Sequence, residues 1–180
     1  MKKDWSTVEL LSHARHDWLN KIQLIKGNLS LNKIDRVKEI IDEIVIETQQ
    51  ESKLSSLNLP QFAALILTYN WEGNSIYIEF EVLEGKKEPH PSINDELLTS
   101  WTSSFLDELH KCSKAYYENH LSITIEMQST GIGFFFDFRG IITDIERIQS
   151  FLNKEIADQK VLELTEQELA LEMFFPSFDD

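Results

Sequence analysis

Arg15-His16-Asp17, followed one helical turn later by Asn20, is the set of side chains in this 180-residue chain best equipped for chemistry. A neutral imidazole has a lone pair that can attack an electrophile and hold the transferred group covalently. Arg15 can offset negative charge. Asp17 can orient the ring or take its proton, and Asn20 can hydrogen-bond a ring nitrogen or a phosphoryl oxygen. Most histidines on helix surfaces are merely solvated; the guanidinium, carboxylate and amide around His16 set it apart. His13 lies three residues earlier, a spacing that can share a metal. No third strong ligand stands nearby, so no metal site is expected.

These side chains converge only if the segment is helical. Wound at about 100° per residue with Trp18 at zero, Leu11, Ile22, Ile25 and Leu29 fall within about 40° of Trp18, an apolar stripe. His16 then points roughly 160° away, toward water, and shares its face with Asn20, Gln23 and Gly27. Ser6 and Glu9 make a capping box, and the helix is expected from about Ser6 to Leu31. A tight turn over Ser30-Leu31-Asn32-Lys33 leads into a second helix to about Leu54. It is marked by Ile34, Val37, Ile41, Ile44 and Thr48, with Ile40 and Val45 widening the stripe. Such a helical hairpin leaves each apolar stripe half covered. No second hairpin of this kind follows, so a homodimer is expected, its two hairpins closing a four-helix bundle. Leu19 and Leu24 sit off the stripe and suit a partner-docking surface, or pack against the C-terminal domain or the second hairpin. Gly27 costs about 1 kcal/mol of helix propensity; it lowers the surface for a partner backbone or is a tolerated defect.

The rest of the chain changes period. Pro60 opens a helix expected to reach about Trp71. Ser75 to Leu83 alternates as a strand, Gly85 to Pro91 reads as a charged loop, and Ser92 with Asp95 caps a long helix to about Glu118. Strands follow over 121–127 and 132–138, then a helix from Thr143 to about Leu152. A closing hairpin pairs Val161–Thr165 with Leu169–Phe175. The fold class is α+β: a hairpin domain over 1–57 and an α/β sandwich over 58–180, its helices on one face of a small sheet.

Composition narrows the partners. The formal net charge of −14, spread along the chain, disfavours nucleic acid and anionic membrane as main partners. One cysteine, Cys112, forbids an intrachain disulfide and fits a reducing compartment. The start, Met1-Lys2-Lys3-Asp4-Trp5-Ser6, has no apolar run behind its lysines. No stretch reaches the roughly 18 apolar residues of a membrane span, so a cytoplasmic location is expected. His110 with Cys112, His90 and His120 are assigned packing or solvation roles.

The string from His16 to Leu31, with Asp35-Arg36-Val37, Glu51-Ser52-Lys53-Leu54-Ser55 and Asn70-Trp71, resembles a known family. It is similar to the phosphoacceptor helix of a subset of bacterial sensor histidine kinases, and closer still to the sporulation initiation phosphotransferases of spore-forming bacilli. The similarity is dense over about the first 70 residues and then weakens, apart from Glu118-Asn119-His120-Leu121. The resemblance implies a dimer with a four-helix bundle and a C-terminal domain like a degenerate histidine-kinase ATP-binding domain. It implies that His16 takes a phosphoryl group from the aspartyl-phosphate of one response regulator and passes it to the aspartate of another that controls sporulation genes. Arg15, Asp17 and Asn20 would serve the transfer, and Leu19, Gln23, Leu24 and Gly27 would dock the regulators. Mg2+ is expected in the partner regulator, and no cofactor on this chain.

An ATP-dependent histidine kinase is the competing reading, and it would need glycine-rich loops. With six glycines in all, Gly131-Ile132-Gly133 is a lone pair at a strand turn and Asp137-Phe138-Arg139-Gly140 at best a remnant. A non-catalytic dimeric scaffold is the other alternative; it leaves His16, Asp17 and Asn20 unexplained.

Overall fold

The computed structural model describes residues 5–83, 92–154 and 158–178. The expected loop at Gly85–Pro91, His90 within it, and the first four residues lie outside these. Two compact units divide the chain, Met1–Ser52 and Lys53–Asp180.

The first unit is the helical hairpin. Helix α1 spans Thr7–Ser30, and Ser6 and Glu9 cap it reciprocally. Leu31 returns its N–H to the carbonyls of Gly27 and Leu29, and Asn32 turns through a left-handed φ of 56°. Asparagine tolerates that region better than most side chains because its short amide bonds locally. Helix α2 then runs Ile34–Ser55. No residue of α1 is buried. Besides Glu9 and His13, its half-buried positions are Leu10, Ala14, Asp17, Lys21, Ile25 and Asn28, these six at three- and four-residue spacing. Across this seam Lys21 Nζ meets Glu47 Oε2 of α2 at 2.5 Å. Val37 and Ile40 are the buried apolar residues of α2 in this unit.

The apolar stripe is therefore not a core within the single chain. Leu11, Trp18, Ile22 and Leu29 are each about half exposed, as are Ile34, Ile41 and Val45. The cause is geometric: the seam used by the hairpin is rotated by roughly a quarter turn from the stripe.

The second unit is a five-stranded sheet with helices on one face. Its chain order is α3 (Pro60–Tyr69), a 3-10 turn (Asn70–Glu72), β1 (Ile76–Val82), α4 (Asp95–Cys112), β2 (Asn119–Gln128), β3 (Gly131–Arg139), α5 (Ile145–Leu152), β4 (Asp158–Leu164) and β5 (Glu168–Pro176). The sheet order is β1-β2-β3-β5-β4. Strands β1 and β2 are parallel, which requires a crossover, and α4 supplies it. The other pairs are antiparallel. Alternation puts Ile78, Ile123, Phe136 and Leu171 on the helix side, all buried. Trp101 and Phe105 of α4 stack at 5.2 Å and meet Phe136 at 5.8 and 5.4 Å. Leu54, Leu57 and Leu59 join this core.

Three expected boundaries are corrected. Helix α4 is capped by Asn94, whose side chain accepts from the Leu97 N–H at 2.9 Å, not by Ser92 and Asp95. Asp95 turns instead to α3 and accepts from the N–H groups of Gln61 and Phe62 at 2.8 and 3.0 Å. It does so because the residue before Pro60, Leu59, has no acceptor of its own. Helix α4 also ends at Cys112 rather than near Glu118. Ser113 turns extended and bridges Ile142. Buried Asn119 then donates to the carbonyls of Ser75, Lys114 and Tyr117 and accepts from Ile141 N–H, which pins the segment as a loop. Helix α3 likewise stops at Tyr69, because the Asn70 side chain is bonded to both N–H and C=O of Ile78.

Candidate functional site

Helix α1 presents His16 as the sequence pattern requires. Its side chain is 71% exposed. Asn20 lies one turn on, where residues four apart on a helix meet, and its Nδ2 is 3.2 Å from His16 Nδ1. Asp17 is placed differently. Its carboxylate comes no nearer than 4.0 Å to the same nitrogen, beyond hydrogen-bond range, and it belongs to the seam facing α2. Arg15 is exposed beside them.

The seam adds charged groups that the sequence reading did not assign to the site. Lys21 bridges to Glu47 and lies 5.7 Å from the Trp18 ring. The Glu51 carboxyl is held above the usual carboxylate range, chiefly by burial and then by the charge of Glu47; Lys21 opposes that shift and Asp17 adds to it. So α2 contributes an electrostatic floor under Asp17. Folding the two helices about the turn at 31–33 brings Lys21 roughly level with the forties, a signal open to sequence reading.

The residues assigned to docking are all exposed: Leu19 and Leu24 at 51% each, with Gln23 and Gly27 between them. A methyl group added at Gly27 would meet nothing within 4 Å, so this chain itself does not require the glycine there.

The remaining histidines have other surroundings. His13 stands edge-on to Trp5 at 4.8 Å. His110 Nδ1 bonds Ser75 Oγ at 2.9 Å. His120 Nε2 pairs with Glu79 at 3.2 Å and stacks on Tyr77. Among the described residues no group of three metal-ligating side chains occurs.

In the second unit two of the glycines weighed as a nucleotide remnant have packing roles. A Cβ at Gly131 would strike the backbone of Phe175, and one at Gly140 would strike the Asn119 side chain. Asp137 accepts from Arg139 Nε at 3.1 Å, and Arg139 also pairs with Glu168 across the strands. That string serves the sheet's own packing and charge pairing. Buried Cys112 has its thiol pushed up, first by burial. No helix among the described residues is long and apolar enough to cross a membrane.

Two family models match the chain. A sensor kinase SpoOB-type alpha-helical domain covers residues 2–57, and sporulation initiation phosphotransferase B, C-terminal, covers residues 58–176. The sporulation initiation phosphotransferase B of Bacillus subtilis (strain 168) is 35% identical over 170 residues, spanning 92% of this chain and 88% of that one. Among solved structures, the Acinetobacter baumannii histidine kinase AdeS aligns over 91% of this chain and 98% of its own, at 9% identity and TM-score 0.43. Histidine kinase ThkA in complex with response regulator protein TrrA aligns over 94% of this chain and 61% of its own, at 16% identity and TM-score 0.44. Both TM-scores lie below 0.5, so neither likeness bears on the assignment.

Proposed function

The chain belongs to the sporulation initiation phosphotransferase B family, and from that membership we propose that its phosphoryl carrier is His16. It is a sporulation phosphotransferase. In the proposed relay, His16 receives the group from an aspartyl-phosphate of one response regulator and returns it to the aspartate of another. The observation that carries this reading is the exposed imidazole on α1 with Asn20 at its Nδ1. An exchange between an acyl phosphate and a phosphoramidate links two reactive donors. What the protein must supply is in-line positioning and charge neutralisation. Arg15 screens the incoming oxygens. The divalent cation belongs to the regulator's acidic pocket, and this chain supplies no cofactor of its own.

Leu19, Gln23, Leu24 and Gly27 form the proposed docking surface beside His16. Their exposure supports it, as apolar residues held in water next to a reactive group are suited to a protein partner. The same reasoning supports a homodimer. The half-exposed stripe of Leu11, Trp18, Ile22 and Leu29, with Ile34, Ile41 and Val45, is what a second hairpin would cover in a four-helix bundle. The single cysteine and the regulator partners support a cytoplasmic location. The packing of Gly131 and Gly140 supports a C-terminal domain that works without ATP.

The test is to mix the protein with a radiolabelled phospho-regulator and follow label that is acid-labile and base-stable. The label should appear on this chain and be lost in His16→Ala. Undiminished labelling of His16→Ala would remove the assignment, and self-labelling from ATP without a regulator would favour a kinase.

A further inference from the structure

We propose that Asn20 decides which nitrogen of His16 takes the phosphoryl group and how firmly the phosphohistidine holds it. This rests on His16 being the carrier. Asn20 Nδ2 lies 3.2 Å from His16 Nδ1, a contact built by the helix itself. The neighbouring carboxylate of Asp17 stays at 4.0 Å from that nitrogen. Nδ1 is thus engaged from within α1, and Nε2 is the nitrogen offered to a partner.

The proton count explains why an amide suits this position. Before transfer, the neutral ring carries its proton on Nδ1 and a lone pair on Nε2. Nε2 attacks phosphorus, the N–P bond forms, and the P–O bond to the aspartyl group breaks. The electron pair leaves on the regulator's carboxylate. The ring, now cationic, releases the Nδ1 proton to water and becomes neutral. On the return step Nδ1 regains a proton, the N–P bond breaks, and the acceptor carboxylate takes the phosphoryl group. Nδ1 is therefore a donor in one state and an acceptor in the other. The Asn20 amide serves both: Nδ2, which faces Nδ1 in the structure, donates to bare Nδ1, and after a half-turn of the amide Oδ1 accepts from Nδ1–H. A carboxylate would serve only the protonated ring, and would hold it in the form from which the N–P bond breaks more readily. Asn20 is in this sense a positioning residue that keeps the phosphohistidine durable yet reversible.

The other charges around the ring are fixed by the hairpin. On α1 they are Arg15, Asp17 and Lys21, with His13 edge-on to Trp5. From α2, Glu47 faces Lys21 and Glu51 faces Asp17. All are shared by the variants below, so a difference between variants reports on position 20.

The experiment uses the full chain phosphorylated with potassium phosphoramidate, a small donor that needs no regulator, alongside labelling from a phospho-regulator. NMR identifies the phosphohistidine isomer, and hydrolysis is followed from pH 5 to 9 for wild type, Asn20→Asp and Asn20→Leu. Wild type should carry the group on Nε2. Asn20→Asp should move the midpoint of the hydrolysis profile up by about one pH unit, the size expected of a carboxylate in hydrogen-bond reach. It should also shorten the lifetime at pH 8 several-fold. Asn20→Leu should give a mixture of Nδ1 and Nε2 isomers. An Nδ1 phosphohistidine in wild type, or one hydrolysis midpoint shared by all three proteins with equal melting temperatures, overturns the assignment. Absence of label on wild-type His16 from either donor is a different result, which overturns the carrier reading itself.

Discussion

At the scale of single residues, charge placement makes two predictions of opposite sign. The Arg147 guanidinium, bonded to Glu108 at 2.6 Å, and then Lys111 hold the Glu108 carboxyl down to about 2 from an ordinary 4.5. A carboxyl depressed by folding stabilises the fold above its unfolded value, and the contribution is lost as pH falls through the folded value. The melting temperature of Glu108→Gln should therefore lie below wild type at pH 7, and the gap should close between about pH 4 and pH 2. Glu51 behaves in reverse. Its carboxyl is raised, first by burial, so it favours the fold below the unfolded value and ceases to do so as pH rises through the folded value. Glu51→Gln should melt higher than wild type at pH 7 and equal to it near pH 4. A lower melting point for Glu51→Gln at neutral pH would show that its attraction to Lys21 outweighs its burial. These residues also mark what could be read from the chain alone. His16 and Asn20 were legible because a four-residue spacing on one helix fixes their meeting. The role of Asp17 was not, since 4.0 Å against 3.2 Å depends on side-chain rotamers within α1.

At the scale of elements, α1 has one inexpensive weak point. Gly27 lies mid-helix with open space around its Cα. Gly27→Ala should stabilise the protein by up to about 1 kcal/mol in urea denaturation. If a regulator's backbone approaches there, the KM for transfer should rise in the same variant; an unchanged KM would mark the glycine as a tolerated defect. In the second unit, Asn119 ties β1, β2 and the 113–118 loop together through four hydrogen bonds while 3% exposed. Asn119→Ala strands buried partners, and a loss of about 2–4 kcal/mol is expected from the same measurement. Helix lengths and strand alternation were readable because both are local periodicities. The cap of α4 was misassigned for a local reason as well: Asn94, Asp95 and Ser92 are all good caps by type. Which of them faces the first turn was decided by the demand of α3, a helix thirty-four residues earlier in the sequence.

For the whole molecule, the stripe left half exposed on α1 and α2 predicts association. The full chain should sediment as a dimer at micromolar concentration, and Ile22→Asp, which places a charge on the exposed stripe, should make it a monomer or unfold the hairpin. An unchanged dimer would place the interface elsewhere. The sequence by itself determined the helical hairpin, the order of strands and helices after it, and the polar face that carries His16. Each follows from a period of 3.6 or 2 and from turn residues between the runs. Only the tertiary structure decided which line of α1 meets α2, because a narrow apolar stripe can pack inward or wait for another chain, and its period is the same in both cases. Only the fold, likewise, assigned Gly131 and Gly140 to close backbone and side-chain approach. Those outcomes depend on distances between residues whose spacing along the chain does not encode them.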